Sequence, residues 1–496
     1  MPRRTGRTAL NVLRRLAQPA GRLAALLVPL LVPLTLGACA SLGGIAVPEQ
    51  GRYVDVVVPR TGPFPPPKAE YITLREVLQR TGVLEENAIA TYARGVLDRV
   101  LAAWPGPRPT IALYITPDEG FYSEAAREGA ILLTAGTFRY LAQTESVRTE
   151  DALAFILAHE AAHIILGHAR DRQSTADMMH QIGGLVTLVG TVTAHTKFVQ
   201  TARTAEKVVI GALLFTEATD GALFPGWGRS QEFQADALAV DLMAKAGYSA
   251  QVVPDVMRVL QVMEDRERAS AAPPALFAQG GPNSFVIRPG APLLNWMKEL
   301  GRTHPPVGER DSAIRAYIER AWGDQVVAAD TGRLRRAAAT REVRQVLTES
   351  AAATQAYQEL RQGQAASAMT RMRTVQANSP VGRSMVSRST RALAAIELGD
   401  RSGSRQLDVV AEHPLATADV YRVRAVLAER AGALEEAAQI WKSSWDRFED
   451  PSALPARIRL AKSLKRGMEA TLLQAQCVSL GVTGMQELCA KAASGG

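Results

Sequence analysis

The stretch LAFILAHEAAHIILGHA, Leu153 to Ala169, constrains the fold of this 496-residue chain more than any other. It is apolar on all sides and contains no Pro, and no Gly precedes Gly167, so Asp151 to Leu166 is predicted to be one mostly buried helix with Thr149 as its cap. Three of the seven histidines of the chain lie in this stretch. His159 and His163 fall one turn apart on the same face, close enough to share one ion. Glu160 lies about 100° round from His159, where a carboxylate reaches a metal-bound water without binding the metal. If the helix continues, His168 comes out nearly opposite His159 and is no ligand. The structural alternative is a pair of core histidines bonded to carbonyls, and the Glu between them weighs against it.

Charge does not point to nucleic acid. The chain is +8 overall, but six of its 57 Lys and Arg (Arg3, Arg4, Arg7, Arg14, Arg15, Arg22) precede residue 39 with no acid among them, and without them the charge is about +2. Those residues open a basic, then apolar leader, Leu23 to Leu36, broken by Pro29 and Pro33 and shorter than the ~20 residues of a membrane span. Its end, Leu36-Gly37-Ala38-Cys39, resembles the lipobox of bacterial lipoproteins, which implies residues 1–38 as signal peptide and Cys39 as the lipidated N-terminus. An ordinary signal peptide with an incidental Cys is the alternative. Ala40 stands where Asp resembles an inner-membrane retention signal, so the expected location is the periplasm, lipid-anchored at the outer membrane. In that oxidising compartment Cys477 and Cys489, twelve positions apart across LGVTG, are candidates for a disulfide bridging a helical hairpin.

Residues 39–70 read as a Gly- and Pro-rich tether, an extended spacer ending in TGPFPPPKAEY. Helical spacing begins at Tyr71, with a break near Gly82. Thr110–Pro117 and Gly129–Phe138 are apolar, β-branched runs predicted as strands. Two apolar runs between 182 and 215 are too short to span a membrane and read as buried or lid-like helices. GRSQEFQADALAVDLMAKAGY is predicted as a helix stopped near Gly247, and THPPVGERDSAIRAYIER as a loop entering a helix. Residues 326–345 read as a linker. From about Val346, Gly363, Gly399 and Gly432 and the recurring Pro380, Pro414 and Pro451 fit tetratricopeptide-like helical hairpins over 346–496, with a plain helical bundle as the alternative.

A zinc site built on His-Glu-x-x-His needs a third ligand. The metzincin arrangement would take it from the same segment, but the required position is Ala169. The gluzincin-like arrangement takes a Glu from a later helix. Glu232 offers one, and Asp236, one turn on, can accept the outer ring N–H of a ligating histidine.

HEAAH, then RSQEFQAD, then THPPVGER resemble the zinc metallopeptidase family of the HtpX membrane protease and the CAAX prenyl endopeptidase, and the leader and tail are most similar to its periplasmic BepA-type branch. One departure is AAREGAILLTAGTF, where the family carries a Pro-Gly-Gly approach to its strand. The resemblance implies an α+β fold: a mainly helical gluzincin-like metallopeptidase domain with a small β-sheet over residues 71–325, followed by the all-α repeats. It implies His159, His163 and Glu232 as ligands of one Zn2+ per chain, Glu160 as general base, Asp236 behind the ligands, and Arg229 as the Arg before the Glu helix. His304 matches a recurrent His-Pro near the site. Held in a loop by Pro305 and Pro306, it could stabilise an oxyanion, occupy the open zinc position as a latch, or be structural. A substrate is expected to lie antiparallel on Gly129–Phe138 as an edge strand. The implied function is an endopeptidase degrading misfolded or misassembled envelope proteins, with the repeats reaching outer-membrane assembly machinery. The alternative is a chaperone or scaffold whose repeats bind clients.

Overall fold

A computed structural model describes residues 47–57, 78, 82–126, 129–168, 224–270, 307–325, 327–479 and 485–494. Among the described residues the first helices are a single turn, α1 (Tyr53–Val56), and α2 (Ala88–Ala102), whose cap Asn87 accepts from the Ala90 N–H. Three strands follow, β1 (Ala112–Thr116), β2 (Ser123–Ala126) and β3 (Ala130–Thr134). Their order is β1-β3-β2, with β1 parallel and β2 antiparallel to β3. β3 is buried along its whole length and is the central strand.

This corrects two expectations. The run Gly129–Phe138 is not an edge strand, and it leaves the sheet at Thr134, whose side chain accepts from the Thr137 N–H and caps α3 (Ala135–Gln143). Gly136 permits the sharp corner: a Cβ there would lie 2.2 Å from the Glu119 carbonyl group, and the Gly136 N–H donates to Asp118 O at 2.8 Å. Among the described residues the outer strands are β1, bridged by Leu84 at Ile115, and β2. The sequence of β2, Ser-Glu-Ala-Ala, lacks β-branched residues, so pairing with β3, not local propensity, makes it a strand.

The histidine helix is α4 (Glu150–Leu166), capped by Thr149 accepting from the Ala152 N–H and closed by Gly167 in the left-handed region at φ 78°. Its residues are buried without interruption from Glu150 to His163. α2, α5 (Phe224–Lys245), β2 and β3 supply the cover. α6 (Val253–Ser270) and α7 (Val307–Trp322) pack together, and α7 also lies on α5.

Parts of the segments read as a tether and as a linker are docked on the core. Within the predicted tether, Tyr53 and Val54 are buried: Val54 N–H donates to Asp241 Oδ2 at 2.8 Å, and Tyr53 N–H to the Tyr317 hydroxyl at 2.7 Å. Asp241, on α5, also accepts from Tyr317 Oη and Trp322 Nε1 of α7, each at 2.7 Å. Within the predicted linker, α8 (Arg333–Ala339) forms, Asp330 N–H donates to Asp151 Oδ2 at 2.8 Å, and Arg333 reaches Glu150. Both interactions clamp the N-terminal turn of α4.

α9 (Arg341–Arg361) begins the tail and still belongs to the same core. Its Thr354 hydroxyl donates to Pro117 O at 2.7 Å, behind the sheet. Helix pairs then follow to the last helix, Met485–Ser494. Three of their turns share one chemistry. Gly363, Gly399 and Gly432 lie at φ 79°, 79° and 77°, and the next residue's N–H bonds back five positions, Gln364 to Glu359, Asp400 to Ala395 and Ala433 to Ala428. A fourth turn repeats the bond, Arg466 N–H to Ala461 O, with Lys465 at φ 60° in place of glycine. Cys477 and Cys489 form a disulfide between the last two helices. Among the described residues no helix is long and apolar enough to cross a membrane, and the apolar residues 182–215 lie outside them.

Gly136→Ala is expected to destabilise the protein by about 1–3 kcal/mol, because the new methyl group must displace backbone. A lower denaturant midpoint is the readout. A wild-type midpoint would show that the 118–120 turn is not held against α3.

Candidate metal centre

α4 brings His159 and His163 to one buried face, and α5 lays Glu232 across them. His159 Nε2 and His163 Nε2 are 3.1 Å apart, and the Glu232 carboxylate oxygens lie 3.4 and 3.2 Å from them. A tetrahedral ion with bonds of about 2.0–2.1 Å sets its ligand atoms about 3.4 Å apart, so the spacing suits a metal. Among the described residues, this is the one His/Cys/Asp/Glu group able to hold an ion.

The surroundings of the two rings fix their protons. For both Nε2 lone pairs to face one ion, each Nδ1 must carry the hydrogen. His159 Nδ1 lies 2.9 Å from Asp236 Oδ1, a natural acceptor. His163 Nδ1 lies 3.0 Å from Nδ1 of His168, which can accept only if His168 is protonated at Nε2, and Gln234 Oε1 stands 3.2 Å from that nitrogen. Two relays therefore run from the histidines of α4 to α5. His168 does not come out opposite His159 as expected: Gly167 stops the helix and returns His168 onto His163.

Asp236 is held in turn by Arg310 of α7, which donates from Nε to Oδ2 at 2.9 Å and from Nη2 to Oδ1 at 2.7 Å, while its Nη1 is 3.0 Å from Glu232 Oε2. Burial would raise the Asp236 carboxyl, but the Arg310 charge and His159 hold it below its ordinary value. Burial also works against a charged His159, yet Asp236 and Glu232 outweigh it and raise the imidazole to about 10. Among the described residues the buried carboxylates of Glu160, Glu232 and Asp236 face one guanidinium, so that with both histidines neutral, as metal ligands must be, two negative charges remain for a divalent cation to balance.

Glu160 accepts from Ser123 Oγ at 2.7 Å through Oε1, and its Oε2 is buried with no hydrogen-bond partner among the described residues. A carboxylate with one anchored and one open oxygen, next to a metal ligand in sequence, can take a proton from water and pass it on. The structure thus brings together His159, Glu160, His163, Glu232 and Asp236. Arg229 falls on α5 ahead of Glu232, and its side chain lies outside the described residues, as do His304 and Cys39 altogether. Sequence reasoning missed Arg310, His168, Gln234 and Ser123. Arg310 ends the quoted segment THPPVGER, and Gly167 was the available sign that His168 turns back.

Residues 118–318 match the profile of peptidase family M48. A curated relative, the putative beta-barrel assembly-enhancing protease of Vibrio cholerae serotype O1, is 23% identical over 240 residues, 47% of this chain and 43% of its own length. The chain thus spans less than half the length of that relative.

His168→Ala is expected to weaken metal binding about 10–100-fold, the usual cost of removing an outer partner of a ligating histidine, in a protein that stays folded. Competition with a chromophoric chelator measures it. An unchanged affinity would count against the His163–His168–Gln234 relay.

Proposed function

We propose that the chain, whose residues 118–318 match the profile of peptidase family M48, is a zinc-dependent endopeptidase of the bacterial periplasm. The observation that carries this reading is the buried group of His159, His163 and Glu232 with the open oxygen of Glu160 on the same helix. His159, His163 and Glu232 hold the ion, Asp236 and His168 fix the two rings, and Arg310 offsets the carboxylates. When bound, zinc polarises the scissile carbonyl and acidifies water. Glu160 takes the proton of the attacking water on Oε2 and delivers it to the leaving amine.

The substrate peptide lies along the outer edge of β2, which supplies backbone hydrogen bonds and little sequence preference. Cys39 anchors the protein by lipid at the outer membrane. The helical tail acts as a tetratricopeptide-like repeat domain that selects clients, supported by its recurring turns at Gly363, Gly399 and Gly432. Misassembled envelope proteins are the substrate class, and the name of the Vibrio relative, a putative beta-barrel assembly-enhancing protease, supports beta-barrel assembly as the setting.

Digestion of casein or an unfolded β-barrel precursor, with and without chelator, separates this reading from a scaffold that only binds. Glu160→Gln is expected to keep its zinc and lose about 10²–10⁴ in kcat, whereas Glu232→Ala is expected to lose the metal by elemental analysis. Equal turnover in Glu160→Gln would remove Glu160 from the chemistry. Cys39→Ser is expected to leave the membrane fraction. Its retention after a carbonate wash would refute the lipid anchor.

A further inference from the structure

Glu160 is held from outside its own helix. Its Oε1 accepts from Ser123 Oγ of β2 at 2.7 Å, and its other oxygen is the one left open among the described residues. The terminal torsion of a glutamate is broad, so without such an anchor the carboxylate would sample many orientations.

Ser123 also has a second face. β2 pairs with β3 in the register Ser123↔Leu133, and the neighbouring Thr134 N–H donates to Tyr122 O at 3.2 Å. Backbone groups of an antiparallel strand alternate sides. Glu124 therefore turns its N–H and C=O toward β3, Tyr122 accepts from Thr134 on that side and donates its N–H to Thr137 Oγ1 of α3, and Ser123 and Ala125 turn theirs away, to the edge that is free among the described residues. Side chains alternate as well: Tyr122 and Glu124 share one face, where the Tyr122 hydroxyl donates to Glu124 Oε2 at 2.5 Å, and Ser123 takes the other, toward α4.

Resting on the peptidase reading above, we propose that Ser123 is a positioning residue that sets the general base in register with the substrate. Its backbone N–H and C=O pair with the peptide laid on β2, and its hydroxyl fixes the Glu160 carboxylate so that Oε2 is the oxygen that exchanges the proton. One residue thereby ties the depth of the substrate strand to the orientation of the base. Ala125, the other residue of β2 whose backbone faces the free edge, has no polar side chain and can contribute only pairing.

The test compares Ser123→Thr with Ser123→Val, two side chains of one shape that differ in the hydroxyl, on a quenched fluorescent peptide. Glu160→Gln is run in parallel. Ser123→Val is expected to lose about ten- to a hundredfold in kcat, the scale of a misplaced catalytic group, with KM within about twofold, full zinc content and an unchanged melting temperature. Ser123→Thr is expected to recover most of that loss. Equal kcat in the two variants, or a loss confined to KM, overturns the proposal while an inactive Glu160→Gln leaves the peptidase reading standing. An active Glu160→Gln overturns that reading, and the role of Ser123 with it.

Discussion

A single buried guanidinium makes the centre possible. Glu232 and Asp236 are removed from water on α5, and carboxylates in such surroundings are costly unless a cation is at hand. Arg310 supplies it, bonded to both oxygens of Asp236 and 3.0 Å from Glu232. It comes from α7, and that helix returns to α5 at a second acid, Asp241, through Tyr317 and Trp322. The position of α7 is therefore fixed by polar contacts at both ends of its run along α5, and the Glu232 carboxylate is aimed partly as a consequence.

The parts of this arrangement that the sequence disclosed are those written within one turn of helix. His159 and His163, Glu160 between them, and Asp236 one turn beyond Glu232 need only helical spacing to be recognised, and the ends of α4 need only Thr149 and Gly167. Arg310 was hidden because its partner lies 74 positions away. β2 was hidden because nothing in Ser-Glu-Ala-Ala favours a strand until β3 is beside it, and the corner at Thr134 because its cause, the approach of Glu119 to Gly136, comes from another loop. The docked turn at Tyr53 and the ordered stretch at Asp330 follow the same rule: their acceptors, Asp241 and Asp151, belong to distant helices.

In the tail the glycines at 363, 399 and 432 were visible because a left-handed residue ends each helix, and glycine takes that conformation without penalty. The equivalent turn at Lys465 was not, although its hydrogen bond is the same. Backbone geometry repeats here more faithfully than residue identity.

The clamps on the first turn of α4 bear on where the protein can be cut. A fragment trimmed to the family match, 118–318, discards β1, the parallel neighbour of β3, and with it α2, which covers α4. It also discards Asp330 and Arg333, leaving Asp151 and Glu150 without the partners that reach them from beyond residue 318. The contiguous stretch that matches the family profile is thus smaller than the packed core it belongs to. Expression designs that respect cooperativity have to begin before Tyr53 and run past α9, because the sheet leans on Thr354.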